Sequence, residues 1–571
     1  MQDADRSALP RLLNPAGLVI RPLAASFLDL LVLRRVLLRH WALFTALAAT
    51  GFTHAYGMWS YPAYDLDEGA ILSQAWAVIH LGRLDPYTYW YDHPPLGWVL
   101  LSPFAWFWTK VMVGHSVLEG GRVIMLAVSL LTVFFLFQVV LRLTRSRTAA
   151  LAAALLMAFS PLAVTETRMV KLDSIATMWT MASLYLASGV RPTLNRIWLS
   201  ALALAIAGLS KEPLVFFAPG VAYIVAQRVE GQRRLFALTG WTAIFVLVVS
   251  LYPLFATLKG ELFPTGTLLG GNSAHVSLLG ALFQSGRGDT TGNPLSGLYW
   301  LRIWWHADPI FVTVGLCALA FNVVSAAKDR TARVVVIVSG PYLLFIARGG
   351  LVRDYWVIPL LPCLAMNIAV AGVLAFGRLR RLNFDALSRQ TPIRQGLVHL
   401  GVLSVVATGA FLGANSSSTY SGAFGVLFHQ DSTTAYTQAL HWIQQNVDAS
   451  SMLVVDSSFW VDLEDTRAPG AWRGVSGSSN RVYGAYHYWV VDKDPAVRDR
   501  VFEDNWRNVD YVVVTPFMDH DMAAGSVDFV KTIVDHSTTV AEFSSGYYSV
   551  RIMKVEKDAS PVGPTSSSPP S

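Results

Sequence analysis

The chain has 571 residues, of which 53% are hydrophobic and only 14% charged, with a formal net charge of +6 and a mean hydropathy of +0.43. A soluble domain carries about 25% charged residues, so one water-facing globule is excluded, and the apolar content excludes a disordered chain. A polytopic membrane protein is what remains, its basic excess belonging either to a nucleic-acid site or to cytoplasmic loops.

In chain order, residues 1–40 carry Arg21, Arg34, Arg35 and Arg39 and no cleavable-signal pattern, and are expected to be a cytoplasmic segment. Residues 41–414 hold eleven apolar runs near the length of a bilayer crossing: 41–60, 122–142, 148–165, 170–189, 197–210, 213–227, 235–257, 301–324, 332–347, 355–376 and 396–414. With the N-terminus inside, the loops bearing Arg142/Arg145/Arg147, Arg228/Arg233/Arg234 and Arg378/Arg380/Arg381 all fall on the cytoplasmic side, as the positive-inside rule requires. Two outer loops, 61–121 and 258–300, are too long to be turns, and loops of that length are usually functional.

After residue 415 the balance reverses. Residues 415–571 hold 11 of the 44 bases and 19 of the 38 acids, so the basic excess lies in the membrane part and nucleic acid drops out as a partner. Segment 415–557 reads as an exoplasmic α/β domain. Helices are expected at Tyr436–Val447, Asp499–Asn508 and Met522–Asp535, buried strands at Met452–Asp456 and Tyr511–Thr515, and an edge strand at Tyr547–Val555. Residues 558–571 are Ser/Pro-rich and expected to be disordered. Cys317 and Cys363 sit in apolar runs and suggest neither a disulfide nor a metal motif.

No phosphate loop, nucleophile elbow or zinc-protease motif is present. The chemistry must come from ionisable residues at the outer span ends, where charge is expensive and marks function. Asp65, Asp67 and Glu68 open a helical pattern running from Ala70 to Leu81, with Asp67 placed to cap it. Tyr91-Asp92-His93-Pro94-Pro95-Leu96-Gly97 forces extended backbone before a further helix. Arg168, Lys171 and Asp173 gather at the start of the fourth span, where Lys171 and Asp173 are near enough to pair locally. Lys211-Glu212 separates the fifth and sixth spans, Arg287 lies in a Gly-rich stretch, and Arg348, Arg353, Asp354 and Tyr355 precede the tenth span. Acids that take a proton, beside cations that hold a phosphate, suit transfer from a phosphate-linked lipid to a hydroxyl. The rival reading is a transporter or flippase of an anionic lipid-linked substrate, which would usually show an internal repeat; none is seen.

Five segments resemble the GT-C membrane glycosyltransferases, and within them the family 39, protein O-mannosyltransferase-like group that includes the lipid A aminoarabinose transferase. They are Asp67-Glu68, His93-Pro94-Pro95-Leu96-Gly97, Leu172-Asp173, Gly208-Leu209-Ser210-Lys211-Glu212-Pro213 and Tyr355…Pro359…Pro362. The resemblance implies a polytopic α-helical fold of about 11 transmembrane helices with a C-terminal soluble α/β domain. It implies an inverting transfer from a polyprenyl- or dolichyl-phosphate sugar to a hydroxyl on a protein, glycolipid or polysaccharide; a bacterial inner membrane is the expected location, although the family also works in the endoplasmic reticulum. Asp67 would be the general base, with Glu68 beside it. Lys211, Arg287, Tyr355 and Arg353 would hold the donor phosphate, and Asp92, His93 and Asp173 would support the pocket. No cofactor is fixed by the resemblance, and a divalent metal is compatible with it. The aromatic residues Trp460, Trp472, Tyr483, Tyr486, Tyr488 and Trp489 are expected to help choose the acceptor.

Overall fold

The computed structural model describes residues 40–80, 82, 84, 93–104, 111, 115–264, 277–282, 296–347, 352–381, 421–448, 450–464 and 484–558. Asp92, Arg287, Arg348, Trp472, Tyr483, the run 396–414, nearly all of segment 1–40, most of loop 258–300 and the tail beyond Asp558 lie outside them.

The described membrane part is a bundle of apolar helices. Val117–Thr144, Gln232–Leu258, Arg330–Ala347 and Asp354–Arg378 are long and apolar enough to cross a bilayer. Arg147–Phe159 and Pro161–Arg168 form a fifth crossing only if their 65° bend counts as one span. The bend has a local cause: Ser160 caps the second helix by accepting from Ala163 N, and Pro161 occupies its first position. The run expected at 301–324 is broken in the same way, because Asp308 caps Pro309–Ser325. Runs 170–189 and 197–210 appear as the shorter helices Leu172–Ala187 and Leu194–Ser210, and run 213–227 as a tight turn, Glu212–Phe217, leading into Ala218–Arg228. Among the described residues four or five crossings thus stand by length and composition, with Leu194–Ser210 and Pro309–Ser325 as shorter apolar helices.

Residues 434–555 contain a five-stranded mixed sheet built from β1 (Met452–Val455), β2 (Gly484–His487), β3 (Tyr511–Val514), β4 (Ser537–Ser545) and β5 (Tyr548–Val555), in the order β2-β1-β3-β5-β4. β1 pairs in parallel with β2 and β3, while β5 runs antiparallel to β3 and β4. β5 is therefore interior, with its Tyr548, Val550 and Ile552 buried, and the edge expected there belongs to β4 instead. Asp499–Asn508 is not a helix. Glu503 and Asp504 take φ values of 53° and 48°, which interrupt helical winding, and only Trp506–Asn508 coils tightly. Met522–Asp535 divides into Pro516–Ala523 and Asp528–Asp535 around Gly525, whose φ of +67° ends the first helix.

The sheet region is not a separate body. One apolar core joins Tyr64, Leu72 and Trp76 of the bundle to Tyr436, Phe459 and Trp460 of the sheet region. Tyr64 meets Tyr436 edge-on at 4.9 Å between ring centres, and Trp76 meets Trp460 at 5.7 Å. Polar ties reinforce this core: Val117 N donates to Asp462 Oδ1 at 2.9 Å, and Tyr436 Oη donates to Asp462 Oδ2 at 2.7 Å.

Candidate functional site

The three acids after the first helix divide into three tasks. The helix starts earlier than its apolar spacing suggests, at Leu66, and runs to His80. Its cap is Asp65 rather than Asp67: the Asp65 carbonyl accepts from Glu68 N at 3.1 Å, and Glu68 Oε2 accepts from Asp65 N at 3.2 Å.

Glu68 is fully buried and saturated. Arg122 clamps it through Nε to Oε1 at 3.1 Å and Nη2 to Oε2 at 2.8 Å, while Val170 N donates to Oε1 at 2.9 Å. Arg122 spends its other donors on the carbonyls of Met58, Pro62 and Ala63. Every acceptor direction of Glu68 is filled, so the catalytic place expected for it is corrected to a structural one.

Asp67 is left as the open carboxylate, with 42% of its side chain exposed, while Lys171 Nζ lies 3.2 Å from its Oδ2. Lys171 also contacts Asp65 Oδ2. Lys171 therefore pairs across the fold with the first outer loop, and not with Asp173 as its position in sequence suggests. Burial would raise Asp67, but Lys171, with Lys211 and Arg353 farther off, holds it down to about 2. Burial dominates at Asp65 and pushes it up to about 6, the Asp67 charge adding and Lys171 opposing.

A second group lies beside the first. Lys211, at the end of helix Leu194–Ser210, is 3.4 Å from Asp173 Oδ2 and 3.0 Å from His93 Nε2. An ammonium only donates, so His93 accepts through Nε2 and carries its proton on Nδ1, which faces Glu212 Oε2 at 3.4 Å. Gly97 explains why the Pro-Pro-Leu-Gly turn ends as it does. A Cβ there would stand 2.6 Å from the tip of Leu172, Cδ2, and 3.4 Å from Ser210, so the turn packs closely on the two helix ends beside His93. Tyr355 joins the groups: Lys171 Nζ lies 4.6 Å and Lys211 Nζ 4.9 Å from its ring centre. Trp304 Nε1 donating to Asp354 O, and Tyr342 Oη donating to Trp356 O, fix the turn that presents Tyr355. Arg353 is exposed at the rim.

Asp67, His93, Asp173, Lys211 and Tyr355 are thus brought together as the sequence suggests, and Arg353 stands near enough to act on Asp67. Lys171 and Asp65 join them. The carboxylate spacing from Asp65 to Asp67 was a visible sign, but the partner lies more than a hundred residues away. Arg168 does not join. It is buried, and donates to the carbonyls of Thr53, Tyr61 and Leu427. Among the aromatic residues, Trp460, Tyr486 and Tyr488 are buried. Trp460 stacks on His487, Trp489 donates to Tyr488 Oη, and the role in acceptor choice is corrected to core packing for these three.

A divalent ion does not fit the acids at this site. Asp65 and Asp67 both point at an ammonium that already fills the position between them, and among the described residues no three His, Cys, Asp or Glu side chains converge on a metal-sized position.

The bundle, with its ionisable cluster at one end of the helices, has the fold of the GT-C membrane glycosyltransferases. It is similar to ArnT from Cupriavidus metallidurans bound to undecaprenyl phosphate, with a TM-score of 0.53 and 14% identity over 92% of this chain and 99% of that one. It is also similar to the oligosaccharyltransferase AglB from Archaeoglobus fulgidus in complex with an inhibitory peptide and a dolichol-phosphate, with a TM-score of 0.52 and 12% identity over 90% and 74%. Within this class, residues 92–253, which carry His93, Lys171, Asp173 and Lys211, match the family described as dolichyl-phosphate-mannose-protein mannosyltransferase. No curated protein matches by sequence.

Proposed function

We propose that the chain transfers a sugar from a polyprenyl-phosphate donor to an acceptor hydroxyl, with inversion, at the outer face of a bacterial inner membrane. The observation that carries this is the pairing of one open carboxylate, Asp67, with two lysines whose side chains are 2% and 3% exposed and which share the ring of Tyr355. Buried cations beside an open base suit a substrate that brings its own negative charge.

In the reaction, Asp67 takes the acceptor proton as the hydroxyl oxygen attacks the anomeric carbon. The bond from that carbon to the phosphate oxygen breaks, and the polyprenyl phosphate leaves with the electron pair. Lys211 and the Tyr355 hydroxyl bear the growing phosphate charge, with Arg353 at the rim, while Asp173 and His93 keep Lys211 aimed. Arg287 and Asp92 are proposed for the same pocket on sequence grounds. The bound undecaprenyl phosphate and dolichol-phosphate of the two similar structures support a lipid-phosphate donor. The basic loops support a cytoplasmic N-terminus and an outer sheet region.

The test is transfer from radiolabelled polyprenyl-phosphate sugars to a membrane extract. Asp67→Asn should lose roughly 100-fold or more, the scale of a missing general base. Equal incorporation by both proteins removes Asp67 from that role. If the wild type incorporates nothing from any donor, the transporter reading takes its place.

A further inference from the structure

Lys171 is 1% exposed, and its ammonium touches Asp65 and Asp67. Its charge also reaches Asp354 and Glu166. Glu166 is itself 7% exposed and has one carboxylate oxygen without a hydrogen-bond partner among the described residues. Two carboxylates therefore touch one buried cation, and two further acids lie within its electrostatic reach.

Two features of the local fold produce this. Asp65 and Asp67 flank the first turn of helix Leu66–His80, so that both carboxylates turn the same way. Lys171 stands in extended backbone immediately before helix Leu172–Ala187, which aims its side chain back at that turn. Paired carboxylates suit a hard divalent cation, which takes oxygen ligands and is often held by one or two carboxylates with water completing its shell. Here a side chain of the chain itself fills the place.

We infer that the Lys171 ammonium is the resident cation of the site, filling the place between Asp65 and Asp67 that a divalent metal with water completing its shell would otherwise take, and positioning Asp67 for proton transfer without added metal. The inference rests on the proposed transfer reaction for its activity arm alone. A lysine is fixed in stoichiometry and cannot be stripped by chelation, and its stem reports on the packing of helix Leu172–Ala187. Lys171 is a positioning residue, because it acts on the acceptor proton only through Asp67.

The full chain in detergent, dialysed against EDTA, is the material for the test. One arm follows transfer with and without added Mn2+. The other titrates Mn2+ by electron paramagnetic resonance and needs no turnover, so it reads the inference even where transfer fails. The wild type is expected to keep its rate through EDTA and to leave Mn2+ unbound at about 1 mM, the upper end of the range of weak oxygen-ligand sites. Lys171→Ala is expected to bind Mn2+ and to transfer roughly 100-fold more slowly, as a misplaced base does. Lys171→Arg, which keeps the charge, is expected to leave Mn2+ unbound and recover most of the rate, a rescue that a purely structural role does not predict. The inference is overturned if EDTA abolishes wild-type transfer and Mn2+ restores it, if the wild type binds Mn2+ as well as Lys171→Ala does, or if Lys171→Ala transfers at the wild-type rate. A wild type inert toward every donor counts against the transfer reaction, and the Mn2+ titration then stands as the measurement of the inference.

Discussion

Gly69 offers a direct way to test whether the sheet region sets the geometry of the site. It lies in the first turn of helix Leu66–His80, two residues after Asp67. A Cβ on it would stand 2.2 Å from Ser457 C and O and 2.3 Å from Ser458 N. These are backbone atoms at the start of helix Ser457–Glu464, just past β1, and they cannot rotate away as a side-chain tip would. To bring the methyl of Gly69→Ala out to 3.4 Å, where ordinary contact begins, the two segments must part by about 1.2 Å. Overpacking of this kind costs about 1–3 kcal/mol. If the helix is the part that moves, Asp67 moves with it, and a displacement of about 1 Å at a reacting group costs on the order of 100-fold in rate. Sugar transfer should therefore fall on that scale while Tm falls by a few degrees. Gly340→Ala is the control, because that glycine has nothing within 4 Å of its Cβ position; it should leave both readouts unchanged. A Gly69→Ala protein with wild-type rate and wild-type Tm refutes the reasoning, since it would mean that the seat of Ser457 and Ser458 yields without reaching Asp67.

Three further outcomes are expected. Glu68→Gln breaks the fully buried pair with Arg122 and should cost about 3–5 kcal/mol in thermal or denaturant unfolding, whereas Asp67→Asn, on a partly exposed carboxylate, should abolish transfer with little change in Tm. Asp462→Ala strands Val117 N and leaves Tyr436 Oη only the Ser458 carbonyl and should cost about 1–3 kcal/mol; a Tm equal to wild type would show that the seam is held by apolar packing alone. Asp65 gives a pH signature. Burial raises it from the usual carboxylate range to about 6, so its contribution to stability is full below pH 3.8 and is lost as pH rises through about 6. Asp65→Asn, which keeps the cap and stays neutral, should gain Tm relative to wild type as pH rises from about 4.5 to 7.5; a constant difference across that window contradicts the assignment.

The sequence spoke most clearly where one residue type has one physical use. The Pro-Pro turn at 94–95, the apolar helices of 117–144 and 330–347, and the strands at 452 and 511 follow from backbone chemistry and apolar runs. Asp67 was legible because a carboxylate at a span end is expensive, and Lys211 for the same reason. Pairings were not legible, because charge has no sequence direction. Lys171 looked as if it belonged to Asp173, two residues on, yet it reaches back to Asp65 and Asp67, and Lys211 takes Asp173 instead. The cap moved from Asp67 to Asp65 because Glu68 closes a box with the residue three before it, and that shift is what leaves Asp67 open. The interior place of β5 depended on β4, whose Ser- and Thr-rich pattern has mostly exposed or half-buried positions and gives little periodic signal.

Arg168 carries a consequence for the order in which the protein is made. Its guanidinium donates to the carbonyls of Thr53 at 2.7 Å and Tyr61 at 3.2 Å, early in the chain, and to that of Leu427 at 3.0 Å, much later. A ribosome that has produced the first half of the chain has therefore supplied the cation and its early partners, the Tyr56 carbonyl among them, while Leu427 waits for the segment ahead of the sheet region to emerge. Until then a buried arginine lacks part of its hydrogen-bond shell at the rim of the bundle, which is costly. Nascent chains halted before Leu427 should accordingly be more open to proteases at the turn around Tyr61 than completed ones. In the finished protein the same contact ties the segment around Leu427 to the turn around Tyr61 through one guanidinium.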